Sequence, residues 1–153
     1  MIQFVKGDLL DQDVEVIVNS WNMNFIPWWL LLPQGVSGAI KKRGGINPFR
    51  QLRNKGILRP GDAVITGAGL LKYKAIIHVA SLNCFWISNL AIIRNCTKNA
   101  LDIAINNGYC SIAFPLLGAG TGGIDPMISK RLLFDEISRS SYQGLVLIVI
   151  HSY

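Results

Sequence analysis

Six residues in the carboxyl-terminal third of the chain have the composition of an anion-binding loop. Gly118 to Gly123 reads GAGTGG, and it lies between an apolar stretch and a predicted helix that begins at Pro126. Glycines let the backbone bend sharply and bring its N–H groups close to an anion. The start of a helix adds the positive end of its dipole. The pattern predicts a phosphate or diphosphate cradle, and a tight strand-to-helix connection is the alternative.

The same string also matches GxGxxG, the fingerprint of a dinucleotide-binding fold. That fingerprint normally opens the first strand–helix–strand unit of such a domain, with an acidic residue about 20 residues further on. Here the loop lies near the end of the chain, and no acidic residue follows on a second strand. The context therefore disfavours a nicotinamide or flavin cofactor, and we expect no cofactor.

Three polar residues follow or close the first two predicted strands. Asp8 comes directly after the strand Ile2 to Lys6, where its carboxylate could accept a hydrogen bond from an exocyclic amine or could cap a helical turn. Asn19 and Asn22 close the second strand, and their amides suit ribose hydroxyls or an Asx-turn. Residue type alone leaves these alternatives open.

The positive charge of the protein is unevenly distributed along the chain. The net charge is +6, and no Asp or Glu occurs between Val16 and Gly61. Such a patch attracts the phosphates of a nucleotide or a nucleic acid, and a solvated helix face is the alternative. Its basic residues are Lys41, Lys42, Arg43, Arg50, Arg53, Lys55 and Arg59.

Predicted strands and helices alternate along most of the chain, and several strands are apolar throughout. Apolar strands require cover on both faces, which predicts a three-layer α/β/α domain with a mixed, mostly parallel sheet. Ligands bind at the carboxyl ends of such strands. The predicted strands are Ile2 to Lys6, Val14 to Asn19, Ala63 to Thr66, Ala75 to Ala80, Ser111 to Pro115 and Leu145 to Ile150. The predicted helices are Ser37 to Arg43 with Ser37 as N-cap, Pro48 to Leu58, Asn89 to Asn107 and Pro126 to Arg139.

Length and composition fit one globular domain spanning residues 1–153, because 50% of the residues are hydrophobic and 16% are charged. No apolar run reaches the roughly 18 residues of a membrane helix, and the amino terminus has no signal-peptide pattern. We expect a soluble, cytoplasmic monomer without a membrane partner. The three widely spaced cysteines disfavour disulfides and a metal site, and we expect buried, reduced thiols.

Five segments in this order and spacing resemble the macrodomain family, and the resemblance covers nearly the whole chain. GDL after the first strand resembles the family's GD[IL] motif, and VEVIVNSWN is similar to its VDAIVNAAN segment. GVSGAI resembles its GVDGAI helix start. GDAVIT followed by IIH resembles its G-x-A-x-x-T and V-I-H strands. FPLLGAGTGG is similar to its second ligand loop.

The resemblance implies a six-stranded sheet between helices, with ADP-ribose as the ligand across the top of the sheet. It assigns Asp8 to the adenine amine, Asn22 to the distal ribose, and the Gly118 loop to the diphosphate and distal ribose. His78 is expected to be structural. The full set of implied ligand-binding residues is Asp8, Leu9, Asn19, Asn22, Gly35, Val36, Ser37, Gly118, Ala119, Gly120, Thr121, Gly122, Gly123 and Ile124.

Two departures from the family pattern bear on catalysis. Ser37 stands where hydrolytic members carry the GVDG aspartate, and a neutral serine cannot replace a carboxylate as general base. The segment after Asn22 is long and aromatic and contains Trp28 and Trp29. It predicts either a hydrophobic plug packed on the first helix or a lid that stacks on the ligand or reshapes the distal ribose pocket. The usual GGG stretch is replaced by Leu32 to Gln34. Asp125, directly after the glycine loop, is a candidate substitute base, and a substrate-assisted route is the alternative.

Three functions follow from these residues. The first is hydrolysis of an ADP-ribosyl linkage, on a macromolecule or in O-acyl-ADP-ribose, with Asn22, Ser37 and Asp125 as candidate catalytic residues. The second is a reader that binds ADP-ribose without chemistry. The third is a nucleic-acid binder, which could coexist with the first. The expected partners are ADP-ribose or an ADP-ribosylated protein or nucleic acid.

Overall fold

The fold is a mixed six-stranded sheet with helices on both faces, as a computed structural model describes it. The structure describes residues 1–30 and 35–152, and for Trp28 it describes the main chain only. The segment Leu32 to Gln34, where the family's glycine stretch is replaced, lies outside the described residues.

Strands and helices alternate through the chain. The strands are β1 (Ile2–Lys6), β2 (Val16–Trp21), β3 (Ala63–Thr66), β4 (Ala75–Ala80), β5 (Ser111–Pro115) and β6 (Leu145–Ile150). The helices are α1 (Gly35–Gly44), α2 (Asn47–Arg53), α3 (Leu90–Asn106) and α4 (Pro126–Arg139). The strand order is β1-β6-β5-β2-β4-β3, in which β3 runs antiparallel to β4 and the other pairs are parallel. The α/β class and the mostly parallel six-stranded sheet are confirmed.

The two faces of the sheet bury separate hydrophobic clusters because successive side chains of a strand point to opposite faces. Val16 and Val18 pack with α3 and α4, whereas Ile17 packs with the α1–α2 layer. Strand β4, which lies between β2 and β3, is buried at every position, as expected for a strand covered on both faces. This packing fixes the carboxyl ends of the parallel strands along one edge of the domain.

Several predicted boundaries require correction. Strand β2 extends to Trp21 instead of ending at Asn19, so Asn19 lies inside the sheet opposite His78. Helix α1 begins at Gly35, and Ser37 lies within its first turn, so the predicted N-cap role of Ser37 is wrong. Helix α2 ends at Arg53, because the chain turns through Asn54 to reach Gly56 at φ +77°.

The cysteine prediction is correct for one residue only. Cys96 is buried, and burial raises the pKa of its thiol to about 12. Cys84 and Cys110 are exposed, so the prediction of buried thiols is wrong for these two. Among the described residues no helix is long and apolar enough to cross a membrane.

Candidate ligand cleft

The polar motifs follow the carboxyl ends of the parallel strands, along one edge of the domain, in a defined order. Asp8 follows β1, the loop Gly118 to Gly123 follows β5, and Asn22 follows β2. Strand β6 separates β1 from β5, and β5 pairs directly with β2. These are three strand spacings of about 4.8 Å each, or roughly 14 Å in all. Asp8, the glycine loop and Asn22 therefore follow one another in this order across the carboxyl-terminal end of the sheet.

Asp8 combines a capping role with an ion pair. One carboxylate oxygen, Oδ1, accepts a hydrogen bond from the backbone N–H of Leu10 at 2.8 Å and caps a single 3-10 turn. The other, Oδ2, lies 3.4 Å from Arg43 at the end of α1. Arg43 also bonds Asp11 at 2.8 Å, and that hydrogen bond is the main reason why its pKa is raised. Asp8 stays partly exposed, so its carboxylate remains accessible beside a cation.

Two of the residues assigned to the ligand have side chains that point into the protein. Leu9 belongs to the hydrophobic cluster below α1, which leaves only its backbone available to a ligand. Asn19 is 0% exposed, and its Nδ2 lies 3.0 Å from Nδ1 of His78. A side chain without accessible surface cannot contact a ligand unless the protein rearranges.

Asn19 is part of a buried hydrogen-bond chain that joins α1 to the sheet. Ser37 Oγ donates to Asn19 Oδ1 at 2.9 Å, and Asn19 Nδ2 donates to Nδ1 of His78. His78 Nε2 then donates to Thr66 Oγ1 at 2.8 Å, and Thr66 donates to the carbonyl oxygen of Gly67. Burial lowers the pKa of His78 to about 3, which fits this neutral tautomer and a structural role. The Ser37 hydroxyl thus already has a partner.

Asn22 and the aromatic segment after it are anchored to α2. Asn22 is nearly buried, and its Oδ1 accepts a hydrogen bond from the N–H of Asn24 at 2.7 Å, which is an Asx-turn. Asn24 Nδ2 in turn donates to the carbonyl oxygens of Leu52 and Gly56. Trp29 is 52% exposed and stacks on Arg53. This tryptophan therefore lies on the surface of the α2 side and not in the core.

The glycine loop is held from behind by Ser88, a residue that the sequence analysis did not single out. Ser88 N–H donates to the carbonyl oxygen of Gly122 at 3.0 Å. A Cβ atom at Gly118 or Gly122 would lie 3.0 Å from an atom of Ser88, so a side chain at either position would be crowded by Ser88. Ser88 Oγ is buried, and among the described residues it has no hydrogen-bond partner. The glycines of the loop indicate in the sequence that another part of the chain packs closely against it. No local sequence pattern identifies that part as Ser88.

The end of the loop leads directly into α4. Ile124 N–H donates to the carbonyl oxygen of Gly118 at 3.0 Å and closes the loop. Asp125 then caps α4, because its Oδ1 accepts from the N–H of Met127 at 2.8 Å. Asp125 is exposed. The loop therefore ends at the positive end of the 14-residue helix α4, which favours negative charge and already holds the Asp125 carboxylate.

A three-layer α/β/α domain with a diphosphate-type loop at this edge is the class that the fold and site define. Comparison with protein family models identifies the family, because the Macro domain model matches residues 18–133. The chain therefore belongs to the macrodomain family.

Individual relatives agree with this assignment. The chain is 33% identical over 145 residues to a Cronobacter sakazakii protein named O-acetyl-ADP-ribose deacetylase, covering 90% of this chain and 77% of that one. Its fold is similar to the Oceanobacillus iheyensis macrodomain with ADP, with TM-score 0.83, 27% identity and coverage of 97% and 82%. It is also similar to a point mutant of that macrodomain with ADPR, with TM-score 0.82, 26% identity and coverage of 95% and 82%.

Proposed function

We propose that this chain binds ADP-ribose along the edge of the sheet and hydrolyses an ester of ADP-ribose. The order of the motifs along the edge is the observation that carries the proposal. In this proposal the Asp8 carboxylate after β1 binds the adenine amine, the Gly118 loop after β5 binds the diphosphate, and Asn22 after β2 binds the distal ribose, in the order of these strands across the sheet. Similarity to a protein named O-acetyl-ADP-ribose deacetylase supports an O-acyl ester as the substrate.

The reaction is the addition of water across an ester bond. The water oxygen forms a bond to the acyl carbon, the bond between that carbon and the ribose oxygen breaks, and a carboxylic acid and ADP-ribose leave. One group must accept a proton from the water and return it to the ribose oxygen. We assign this role to Asp125, because its second carboxylate oxygen is not needed for the cap of α4. We assign no proton transfer to Ser37, because its hydroxyl donates a hydrogen bond to Asn19.

The Asp125→Asn variant tests this assignment directly. Asparagine caps a helix about as well as aspartate, so the substitution removes the charge and keeps the fold of the loop. We expect the variant to bind ADP-ribose with unchanged affinity and to lose at least about 100-fold in the rate of O-acetyl-ADP-ribose hydrolysis, the scale of general base catalysis. Asp13→Asn is the matched control, since Asp13 is an exposed carboxylate outside the cleft. Equal turnover by both variants would remove Asp125 from the mechanism.

The same placement of Ser37 favours a second function, an ADP-ribose reader without chemistry. A macrodomain whose GVDG position holds a hydroxyl already bonded to Asn19 lacks the family's base at that position. This alternative predicts that the native protein binds ADP-ribose and leaves O-acetyl-ADP-ribose intact over hours. Measurable turnover that is abolished in Asp125→Asn would exclude it.

A further inference from the structure

Four cations are concentrated on the solvent side of α2 and the segment that follows it. Residues 50–59 read RQLRNKGILR, and Arg50, Arg53, Lys55 and Arg59 are all exposed. The ion pairs among the described residues involve Arg43, Lys74 and Lys98, and none of these four cations. The nearest acidic group in sequence, Asp62, accepts a hydrogen bond from the Arg59 backbone. Of the basic stretch of the sequence, Arg43 is paired with Asp8 and Asp11, whereas these four exposed cations lie on and after α2.

An exposed indole lies on the same surface. The guanidinium carbon of Arg53 lies 4.4 Å from the centroid of the Trp29 ring. Hydrogen bonds hold the aromatic segment to this surface, because Asn24 Nδ2 donates to Leu52 and Gly56, and Leu58 N–H donates to the carbonyl oxygen of Met23. With 52% of its surface exposed, Trp29 can still contact a partner. We name the surface formed by Trp29, Arg50, Arg53, Lys55 and Arg59 the basic face.

We propose that the basic face binds single-stranded nucleic acid. An arginine guanidinium group can bind two phosphate oxygens at once, and four exposed cations within ten residues supply positive charge for a sugar–phosphate backbone. An indole beside a guanidinium is a stacking platform for an unpaired base. An acidic protein would satisfy the charge but would have no need of the indole, and a duplex would hide its bases from Trp29. The proposal goes beyond ADP-ribose binding and does not depend on it.

Fluorescence anisotropy at several salt concentrations tests the contribution of the four cations to binding. The full chain is titrated against a labelled mixed-sequence single-stranded DNA oligonucleotide of about 12 nucleotides. Each phosphate contact with a single strand contributes a slope of about −0.7 in log K against log salt, so four contacts predict a slope of about −3. We expect the double variant Arg50→Glu, Arg53→Glu to bind at least about tenfold more weakly, with about half that slope. A flat salt response of the native protein would overturn the proposal.

A matched control separates this face from the net charge of the protein. The double variant Arg94→Glu, Arg139→Glu changes the charge by the same amount on the opposite helical layer, where both arginines are exposed. We expect it to bind the oligonucleotide within about threefold of the native protein, because the contacts are local. An equal loss in both double variants would mean that only net charge matters and would overturn the basic face as a site.

Substitution of Trp29 tests the base contact and the choice of a single strand. Base–aromatic stacking is worth about 1–3 kcal/mol, so Trp29→Ala should weaken binding of the oligonucleotide about tenfold, whereas Trp29→Phe should retain most of the affinity. A labelled duplex of the same sequence should bind more weakly than the single strand. An unchanged affinity of Trp29→Ala, or a duplex that binds as tightly as the single strand, would overturn the proposal.

Discussion

Replacing Gly118 with alanine would place a methyl group in space that its neighbours already occupy. The added Cβ would lie 2.9 Å from Ile93 Cδ1, 3.0 Å from Ser88 Oγ and 3.1 Å from Ile124 Cγ1. The backbone of Gly118 is also left-handed, with φ at +73°. A left-handed conformation costs a residue with a side chain about 1–2 kcal/mol, and overpacking costs about 1–3 kcal/mol more. We therefore expect Gly118→Ala to lower the free energy of unfolding by about 2–5 kcal/mol.

Gly120 provides the control that separates the two contributions. Its φ is +74°, but no atom lies within 4 Å of the position its Cβ would take. Gly120→Ala should therefore lose only the backbone contribution of about 1–2 kcal/mol. Ser88→Ala, introduced together with Gly118→Ala, should recover part of the steric cost, since it removes the oxygen that the new methyl group meets.

Urea denaturation of the native protein and these variants gives the free energies, and calorimetry with ADP-ribose reports the loop directly. We expect Gly118→Ala to lose affinity in addition to stability, because a displaced loop would disturb the diphosphate site that we propose for it. If Gly118→Ala were no less stable than Gly120→Ala, the close packing of Ser88 and Ile93 beneath the loop would be refuted.

Two further predictions concern the buried chain between α1 and the sheet. Burial lowers the pKa of His78 to about 3, so its stabilising contribution is fully present above the unfolded value near 6.5 and is lost as the pH falls towards 3. Below about pH 6 this group alone should lower the free energy of unfolding by about 1.4 kcal/mol per pH unit. Urea denaturation of the native protein and of His78→Gln between about pH 7 and pH 5 measures this loss. Parallel pH profiles of the two proteins would contradict it. Ser37→Ala should lower stability by about 1–3 kcal/mol, because it leaves the buried Asn19 Oδ1 without its donor, and should leave ester turnover unchanged. Denaturation and turnover of the same preparation check both parts, and a large loss of turnover at native stability would give Ser37 a chemical role.

The sheet could be predicted from the sequence because most of its strands are short apolar runs, such as Ala75–Ala80 and Leu145–Ile150. The boundary of β2 was missed for a specific reason. Asn19 is polar and ends the apolar run, but in the folded protein His78 on the neighbouring strand satisfies its amide, so the strand continues to Trp21. A partner 59 residues away leaves no local signal.

The positions of the glycine loop and of Asp8 after their strands could be predicted, because glycine chemistry or a family motif marks them. The contacts that distant segments make with them could not be predicted. Arg43 pairs with Asp8 across 35 residues, and Ser88 packs beneath the glycine loop from the segment between β4 and α3. Both contacts depend on how α1 and α3 pack on the sheet, which periodicity does not specify.

ADP-ribose binding is the central claim, and a calorimetric titration of the native chain beside Asp8→Ala tests it most directly. We expect micromolar affinity for the native protein and at least about a tenfold loss in Asp8→Ala, because a hydrogen bond from the adenine amine to a charged carboxylate is worth about 1.5–3 kcal/mol. Asp13→Ala, which removes an exposed carboxylate outside the cleft, should bind like the native protein. The absence of ADP-ribose binding by the native chain, or equal affinity of native protein and Asp8→Ala, would contradict the account.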